Sequence, residues 1–507
     1  MEQSKRIFKN TGFLYARMFI TVFVSLYVTR LVLDALGTED FGTFNLIGGT
    51  IAMLTFLNIA MASASQRFMS FAQGEGDKEK QKNIFNVSVL IHFCIGIVLV
   101  LLLEIAGHIL FNGVLVINPE RIEVVKLIYQ FVIVSTFMST ISVPYHAVIN
   151  AHQNMLFVAV IAVVESLFKL GIAFYITYTN FDKLLSYGLL TASLSIMLLI
   201  TKRIYCQIKY EEVTINIRKY FNKTLFKEMI SFASWSFLGS FASITSNYGQ
   251  GILLNKFFGT NVNAAQGVSN QISGQLQAFS ATMIQAISPA IVMNEGANER
   301  EKMLELSLTG SKISFFLLAL FVVPFIIEID YIFSIWLTVI PEFTKIFTIL
   351  LLSRKLIAQL FVTLSTTIDA VGQIKEKQIG TAILELSILV VTYVLFSNGY
   401  PPFTIYVVFI VIVFIRSFGV TLYCAKKYAR LNISLFMKKI VFRSLFSLLI
   451  PTVIVLLMRN FLEFGFFRLI SVIIIFGICY AISSSLIVLN IKERSTIKML
   501  LNNLINR

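Results

Sequence analysis

Eight basic side chains lie inside long apolar stretches of this sequence: Arg17, Arg30, Arg67, Lys169, Lys312, Arg354, Lys355 and Arg416. A cation at the centre of a bilayer costs about 2.5–3.5 kcal/mol on the gentlest scale, so each needs a reason to be there. Acids in the same stretches are fewer: chiefly Glu165, Asp369 and Glu385, with Asp34 and Glu104 near stretch ends. Glu165 and Lys169 are four residues apart, which lets them pair on one helical face, and the pair reads as structural. The remaining balance is cationic, and a cationic cavity suits an anion. Arginine offers a planar, permanently charged fork that matches phosphate oxygens two at a time. Arg17, Arg30 and Arg67 are the first candidates, because they lie in the first two apolar stretches. Lys169, Lys312, Arg354 and Arg416 are secondary. Each has an ordinary alternative. Arg30 and Arg67 are close enough to stretch ends to snorkel, and Arg17 is a turn or two from an end. Lys312 and Arg354 read equally well as structural, and adjacent Arg354 and Lys355 cannot both face one cavity. Arg416 has room to pair with an acid that the sequence does not identify.

A second constellation is uncharged. One stretch carries Ser234, Trp235, Ser236, Ser240, Ser243, Thr245, Ser246, Asn247, Tyr248 and Gln250. In the next, Gln266, Asn270, Ser273, Gln277 and Ser280 recur at three- and four-residue steps and form one helical stripe. Such a face cannot meet lipid cheaply and must line water or another helix. Amides and hydroxyls hydrogen-bond sugar hydroxyls, which makes Gln266, Asn270, Gln277 and Asn247 candidate cavity-lining groups. Polar glue between close-packed helices is the alternative.

The elements that must carry these residues follow from composition. The chain has 507 residues, 57% of them apolar and 14% charged, with a mean hydropathy of +0.80. Ordinary soluble domains run about 45–50% apolar and about 25% charged. At about 20 residues per membrane helix, the apolar residues supply roughly fourteen spans. They fall at 8–34, 43–71, 83–110, 122–148, 154–179, 183–205, 225–257, 261–291, 303–328, 343–370, 377–397, 402–425, 438–459 and 465–490. Lys and Arg outnumber Asp and Glu by 42 to 27. With the N-terminus placed in the cytoplasm, 27 basic residues fall on cytoplasmic segments, 7 on outer ones and 8 inside spans. That alternating bias is the positive-inside pattern of an even span number with both ends cytoplasmic. It removes the need for a nucleic-acid partner to explain the net charge.

The expected organisation is a six-helix bundle over 1–205, a basic cytoplasmic linker over 206–224, a second six-helix bundle over 225–427, and two further helices with a cytoplasmic tail over 428–507. The fold class is an all-α polytopic membrane protein. The basic N-terminus resembles the start of a signal peptide, but the following run is long, contains Arg17 and Arg30, and ends without a small-residue cleavage site, so it reads as an uncleaved span. Cys94, Cys206, Cys424 and Cys479 have no paired spacing, and His92, His108, His146 and His152 form no ligand cluster. Neither a metal site nor a cofactor is expected. No nucleotide-binding, nucleophile-elbow or zinc motif is present.

An internal repeat supports the two-bundle plan. Residues 37–80 align with 259–302 at a constant offset of 222 and 8 identities in 44, including Gly37/Gly259, Met61/Met283, Ala64/Ala286 and Gly74/Gly296. Both copies run from outside to inside, so the repeat is parallel. Two six-helix halves about an axis along the membrane normal, with a central cavity, is a transporter architecture.

The segment from Arg30 through Leu36-Gly37 to Phe41-Gly42 resembles the loop after the first helix of polysaccharide-biosynthesis membrane proteins, with an R-x-L-G-x-x-x-F/Y-G type pattern that Arg30, Leu36, Gly37, Phe41 and Gly42 match loosely. The span count, the six-plus-six-plus-two plan and the cationic first helices are also similar to that family, the Wzx-type O-antigen flippases of the multidrug/oligosaccharidyl-lipid/polysaccharide exporter superfamily. The resemblance implies two six-helix bundles opening alternately to each side of a bacterial inner membrane. It implies a substrate, an undecaprenyl-diphosphate-linked oligosaccharide of O-antigen, capsule or exopolysaccharide, moved from the cytoplasmic to the outer leaflet. It further implies diphosphate contacts at Arg17, Arg30 and Arg67. Glu165, Asp369 and Glu385 are the candidates for ion coupling. The implied partners are the lipid-linked oligosaccharide, membrane lipid and polysaccharide polymerase or export proteins. No bond is made or broken in that activity, so no enzyme is expected. A cation-coupled multidrug antiporter of the related MATE branch is the main rival, although such transporters call for carboxylates in the first bundle. A membrane polysaccharide polymerase or ligase would need a sizeable outer loop, and the connections here are short.

Overall fold

The computed structural model describes the chain except for Met1, Thr55 and residues 115–120, 338–339, 491–492 and 495–507. For residues 2–5, 8, 38–39, 42–43, 45–54, 56–57, 113–114 and 260 it describes the backbone alone. The tail expected after the last span therefore lies outside the described residues, apart from Glu493 and Arg494. Among the described residues every regular element is helical. Eleven helices are long and apolar enough to cross a membrane, or twelve if one pair bent by 42° counts as a single span. The expected seventh span does not reach that mark because its own sequence is polar, and the expected second span runs across Thr55, which lies outside the described residues.

The helices form two compact units. Unit 1 comprises Met1–Phe241 and Val292–Glu299. It contains α1 (Glu2–Leu54), α2 (Phe56–Glu75), α3 (Lys78–Ile109), α4 (Ile122–Ala151), α5 (Met155–Tyr178), α6 (Lys183–Lys209), the single turn α7 (Ile217–Tyr220) and the first part of α8 (Lys223–Phe258). α1 packs along α5, and α4 packs against α2, α3 and α6. Two apolar clusters hold these contacts. One joins Leu103, Val125, Ile128, Tyr129 and Leu184; the other joins Val28, Val32, Ile172, Ile176 and Leu198. Helix starts carry the side chains that starts require: Asp77, Asn154 and Asp182 accept from the backbone N–H of Lys80, Phe157 and Leu185.

The segment expected as a linker is built into unit 1. The Asn86 side-chain amide donates to the Thr214 carbonyl and accepts from the Asn216 N–H, both at 2.8 Å. Glu212 is fully buried there, with His152 on one carboxylate oxygen and Lys78 Nζ 3.9 Å from the other. On another face, Arg121 ties Asp40 to Asp182, joining the far end of α1 to the starts of α4 and α6.

Unit 2 comprises Ala242–Ile291 and the chain from Arg300 onward. It holds the rest of α8, most of α9 (Thr260–Gly296), α10 (Arg300–Ile327), α11 (Ile329–Trp336), α12 (Thr344–Gln359), α13 (Val362–Val371), α14 (Lys375–Ser397), α15 (Thr404–Ile415), α16 (Leu422–Ala429), α17 (Ile433–Phe436), α18 (Arg443–Arg459) and α19 (Phe466–Ile487). π-helical turns at Arg416–Thr421 and Met437–Phe442 join α15 to α16 and α17 to α18. α12 and α13 are the bent pair. Its main core gathers Leu254, Phe347, Leu351, Ile388, Tyr406 and Phe409. Ion pairs tie the last two helices to the residue after α10 and tie Glu493, beyond them, to the middle of α10. Arg468 donates to Glu328 at 2.7 and 3.1 Å, with Arg459 at 3.6 Å, and Lys312 reaches Glu493 at 3.1 Å.

The repeat is visible in the backbone. Gly37 and Gly259 both have left-handed φ, +78° and +79°, and so do Gly76 at +74° and its equivalent Asn298 at +59°. The far ends of α2 and α9 also touch, at Gly74 and Gly296. A Cβ on Gly74 would fall 2.0 Å from the Met293 carbonyl oxygen, and one on Gly296 would fall 2.1 Å from that of Phe71. Phe71 and Met293 are themselves repeat equivalents, so these are two copies of one contact about a local two-fold axis.

Candidate functional site

In unit 1 the interior polar groups converge from five helices. α1 is continuous from Glu2 to the turn at Gly37, so Arg17 and Arg30 stand about 20 Å apart along it at 1.5 Å per residue. Arg17 is half-buried. Arg30 is on the surface, with 79% of its side chain exposed and its Nε 3.9 Å from Asp34. Arg67, also half-buried, lies over the rings of Phe68, Phe71 and Phe232, its Cζ 4.7, 4.8 and 5.7 Å from their centroids. The fork is thus held by stacking on aromatic faces. No single diphosphate can bridge Arg17 and Arg30 at once.

Beside Arg67, Gln66 accepts from Asn150 at 3.4 Å, and Asn150 sits 2.9 Å from His146 Nδ1. Arg17 and Lys202 lie near enough to His146 to act on its charge, and Glu165 acts on Lys202 in turn. Glu165 also pairs with Lys169 at 2.7 Å, as their spacing leads one to expect. His146, Asn150 and Lys202 are the residues that sequence reasoning passed over. Their signal was the four-residue step from His146 to Asn150 and the position of Lys202 two turns inside the end of its helix.

In unit 2 the secondary cations separate into different environments. Lys312 is buried and satisfied by Glu493. Arg416 pairs with buried Glu385, which supplies the acid that the sequence left unnamed. Asp369 pairs with Lys377, which also donates to Ser365 at 2.9 Å. Arg354 is buried over the Phe409 ring, 4.3 Å from its centroid. The three ion-coupling candidates Glu165, Asp369 and Glu385 are therefore all in ion pairs.

The polar stripe on α9 divides. Gln266, Ser273 and Ser280 turn into the bundle; Gln266 lies against Gly251, and Ser280 meets Gln359 at 3.3 Å. Ser269 adds a 3.0 Å bond from Thr348, so this face joins α9 to α12. Asn270 is exposed and Gln277 half-exposed, and Gln271 and Gln275 extend the exposed face. On α8, Asn247 is exposed and donates to the Ser243 carbonyl at 2.7 Å. The division follows from the helix period. At 3.6 residues per turn, Ser273 and Ser280 drift to one side of Gln266, and Gln277 and Asn270 to the other.

A model of the family described as polysaccharide biosynthesis protein matches residues 7–295, more than half of the chain. The chain belongs to the polysaccharide biosynthesis protein family. Within the curated proteins, this family member is 33% identical over 96 residues to the uncharacterized membrane protein EpsK of Bacillus subtilis strain 168, a match that spans 18% of either chain. Its fold is that of MATE transporters. A crystal structure of MATE in the bent conformation superposes with a TM-score of 0.73 at 15% identity, covering 85% of this chain and 96% of that one. A MOP-superfamily transporter from Pyrococcus furiosus, described by its reverse polarity of binding pocket, gives 0.69 at 15% identity over 86% and 97%. The family match and the MATE-like fold agree with a multi-pass helical membrane protein.

Proposed function

We propose that this member of the family is a flippase for an undecaprenyl-diphosphate-linked oligosaccharide, carrying it from the cytoplasmic to the outer leaflet of a bacterial inner membrane by alternating access. Both chain ends are cytoplasmic in this reading, as the distribution of basic residues requires. The observation that carries it is Arg67, a permanently charged fork half-buried within unit 1 and stacked on three rings, with Arg17 as a second interior guanidinium. A diphosphate is the lipid-linked anion that such forks recognise. With spans alternating in direction from a cytoplasmic N-terminus, Arg17 and Arg67 belong to the cytoplasmic half of the membrane and Arg30 to the outer half. The diphosphate meets them in succession. The exposed amides Asn247, Asn270 and Gln277 of unit 2 offer hydrogen bonds to sugar hydroxyls. Polysaccharide polymerase or export proteins are the partners this activity needs next.

The test is complementation of a strain that lacks this gene. Arg17→Ala combined with Arg67→Ala should abolish surface polysaccharide while the protein still reaches the membrane. Wild-type polysaccharide from that variant would reject the diphosphate role. The multidrug-antiporter alternative rests on the shared fold. Protection from cationic dyes by the wild-type chain would favour it, and the cationic interior of unit 1 argues against it.

A further inference from the structure

Arg354 of α12 presents a problem that the transport reading does not solve. Its side chain is 8% exposed, and among the described residues it makes no hydrogen bond or ion pair; its one recorded neighbour interaction is the face of Phe409. Lys355, Glu385, Arg416 and Tyr406 all lie within electrostatic reach. Glu385 is already engaged by Arg416. An arginine keeps its charge at any physiological pH. The buried Arg354 charge is left without a paired carboxylate.

Two further groups at the same place are unsatisfied. The Tyr406 hydroxyl and the Gln250 side-chain nitrogen are buried without a hydrogen-bond partner, on residues 1% and 3% exposed. They face each other closely enough to interact but close no bond of normal geometry, and Tyr406 also feels the charge of Arg354. Buried polar groups are almost always paired. Here a guanidinium, a phenol and an amide, all able to donate, come together inside one bundle, and the nearest carboxylate is occupied elsewhere.

We propose that the interior of unit 2 contains a binding site for a small monovalent anion of the halide class, held by Arg354 with Tyr406 and Gln250 as neutral donors. The walls favour a halide over an oxyanion: Phe409 covers one face of Arg354, and Phe347 stacks on Tyr406 with centroids 4.5 Å apart. Phosphate needs donors for four oxygens, and a halide is satisfied by the few present. The site uses none of the groups assigned to the diphosphate or the glycan.

Thermal unfolding of the full-length protein in detergent tests this, with sodium chloride, bromide or gluconate at fixed ionic strength. Chloride and bromide should raise Tm by several degrees in a saturable way, and gluconate should not. Arg354→Gln should remove the halide dependence, and Tyr406→Phe should shift its midpoint several-fold to higher halide. Identical curves in chloride and gluconate, or a halide dependence that survives Arg354→Gln, would overturn the site. Phosphate acting as well as chloride at the same concentration would overturn the choice of a monoanion. If Arg354→Gln yields no folded protein, anomalous scattering from bromide-soaked wild-type crystals decides. A peak beside Arg354 supports the site, and peaks confined to the protein surface reject it.

Discussion

Arg468 holds Glu328 through two guanidinium nitrogens on one carboxylate oxygen, at 2.7 and 3.1 Å, with Glu328 fully buried. The pair fixes the start of α19 to the end of α10. Removing one partner strands a charge in the interior, which costs about 3–5 kcal/mol. Glu328→Leu is therefore expected to lower stability by that amount in a detergent unfolding series. Arg30→Ala, which removes an exposed guanidinium, should stay within about 0.5 kcal/mol of wild type.

Gly74→Ala and Gly296→Ala should each be disruptive. The added methyl meets a backbone carbonyl at 2.0 or 2.1 Å, and backbone cannot swing aside as a flexible side chain can. A loss of about 1–3 kcal/mol is expected for overpacking of this kind. Gly12→Ala adds its methyl to open space and serves as the control. Equal melting temperatures for all three variants would contradict the close contact between α2 and α9.

Glu212 predicts an acid-sensitive attachment of the 206–224 segment. Burial alone would raise its pKa. The hydrogen bond from His152, the backbone and the nearby charges of His152 and Lys78 outweigh burial, so the pKa lies below its usual 4.5. A depressed carboxylate contributes stability that is complete above its unfolded pKa and is lost as pH falls through the folded value. Protease nicking of this segment should thus stay slow from pH 7 down to about 4.5 and rise below that. In Glu212→Gln it should be fast at neutral pH, with little further change on acidification.

Arg67→Lys separates charge from shape. Lysine keeps the positive charge but loses the planar fork and the stacking on three rings, a difference of roughly 1–2 kcal/mol. Surface polysaccharide measured over time should fall about tenfold in rate with Lys and further with Ala. Full activity in Arg67→Lys would make the site a simple point charge.

The fold was largely legible because hydropathy and loop charge act residue by residue along the chain. Among the described residues eleven or twelve helices long and apolar enough to cross a membrane answer to the fourteen expected spans, and the repeat seen at Gly37/Gly259 and Gly74/Gly296 returns in the φ angles and in the reciprocal contact. Ion pairing was legible only where it was local. Glu165 and Lys169, four residues apart, could be paired from sequence. Lys312 with Glu493 and Arg416 with Glu385 are 181 and 31 residues apart and could not. The α9 stripe shows the same limit. Its period was readable, but which arc meets α12 depends on Thr348 and Gln359 arriving from elsewhere in the fold.

The doubled glycine contact has a mechanical consequence. Phe71 against Gly296 and Met293 against Gly74 share one axis, so any motion that parts the ends of α2 and α9 separates both pairs together. The junction lets go at two points or at none, which makes it an all-or-none catch. Backbone carbonyls and glycines form it, so the contact itself carries no titratable group.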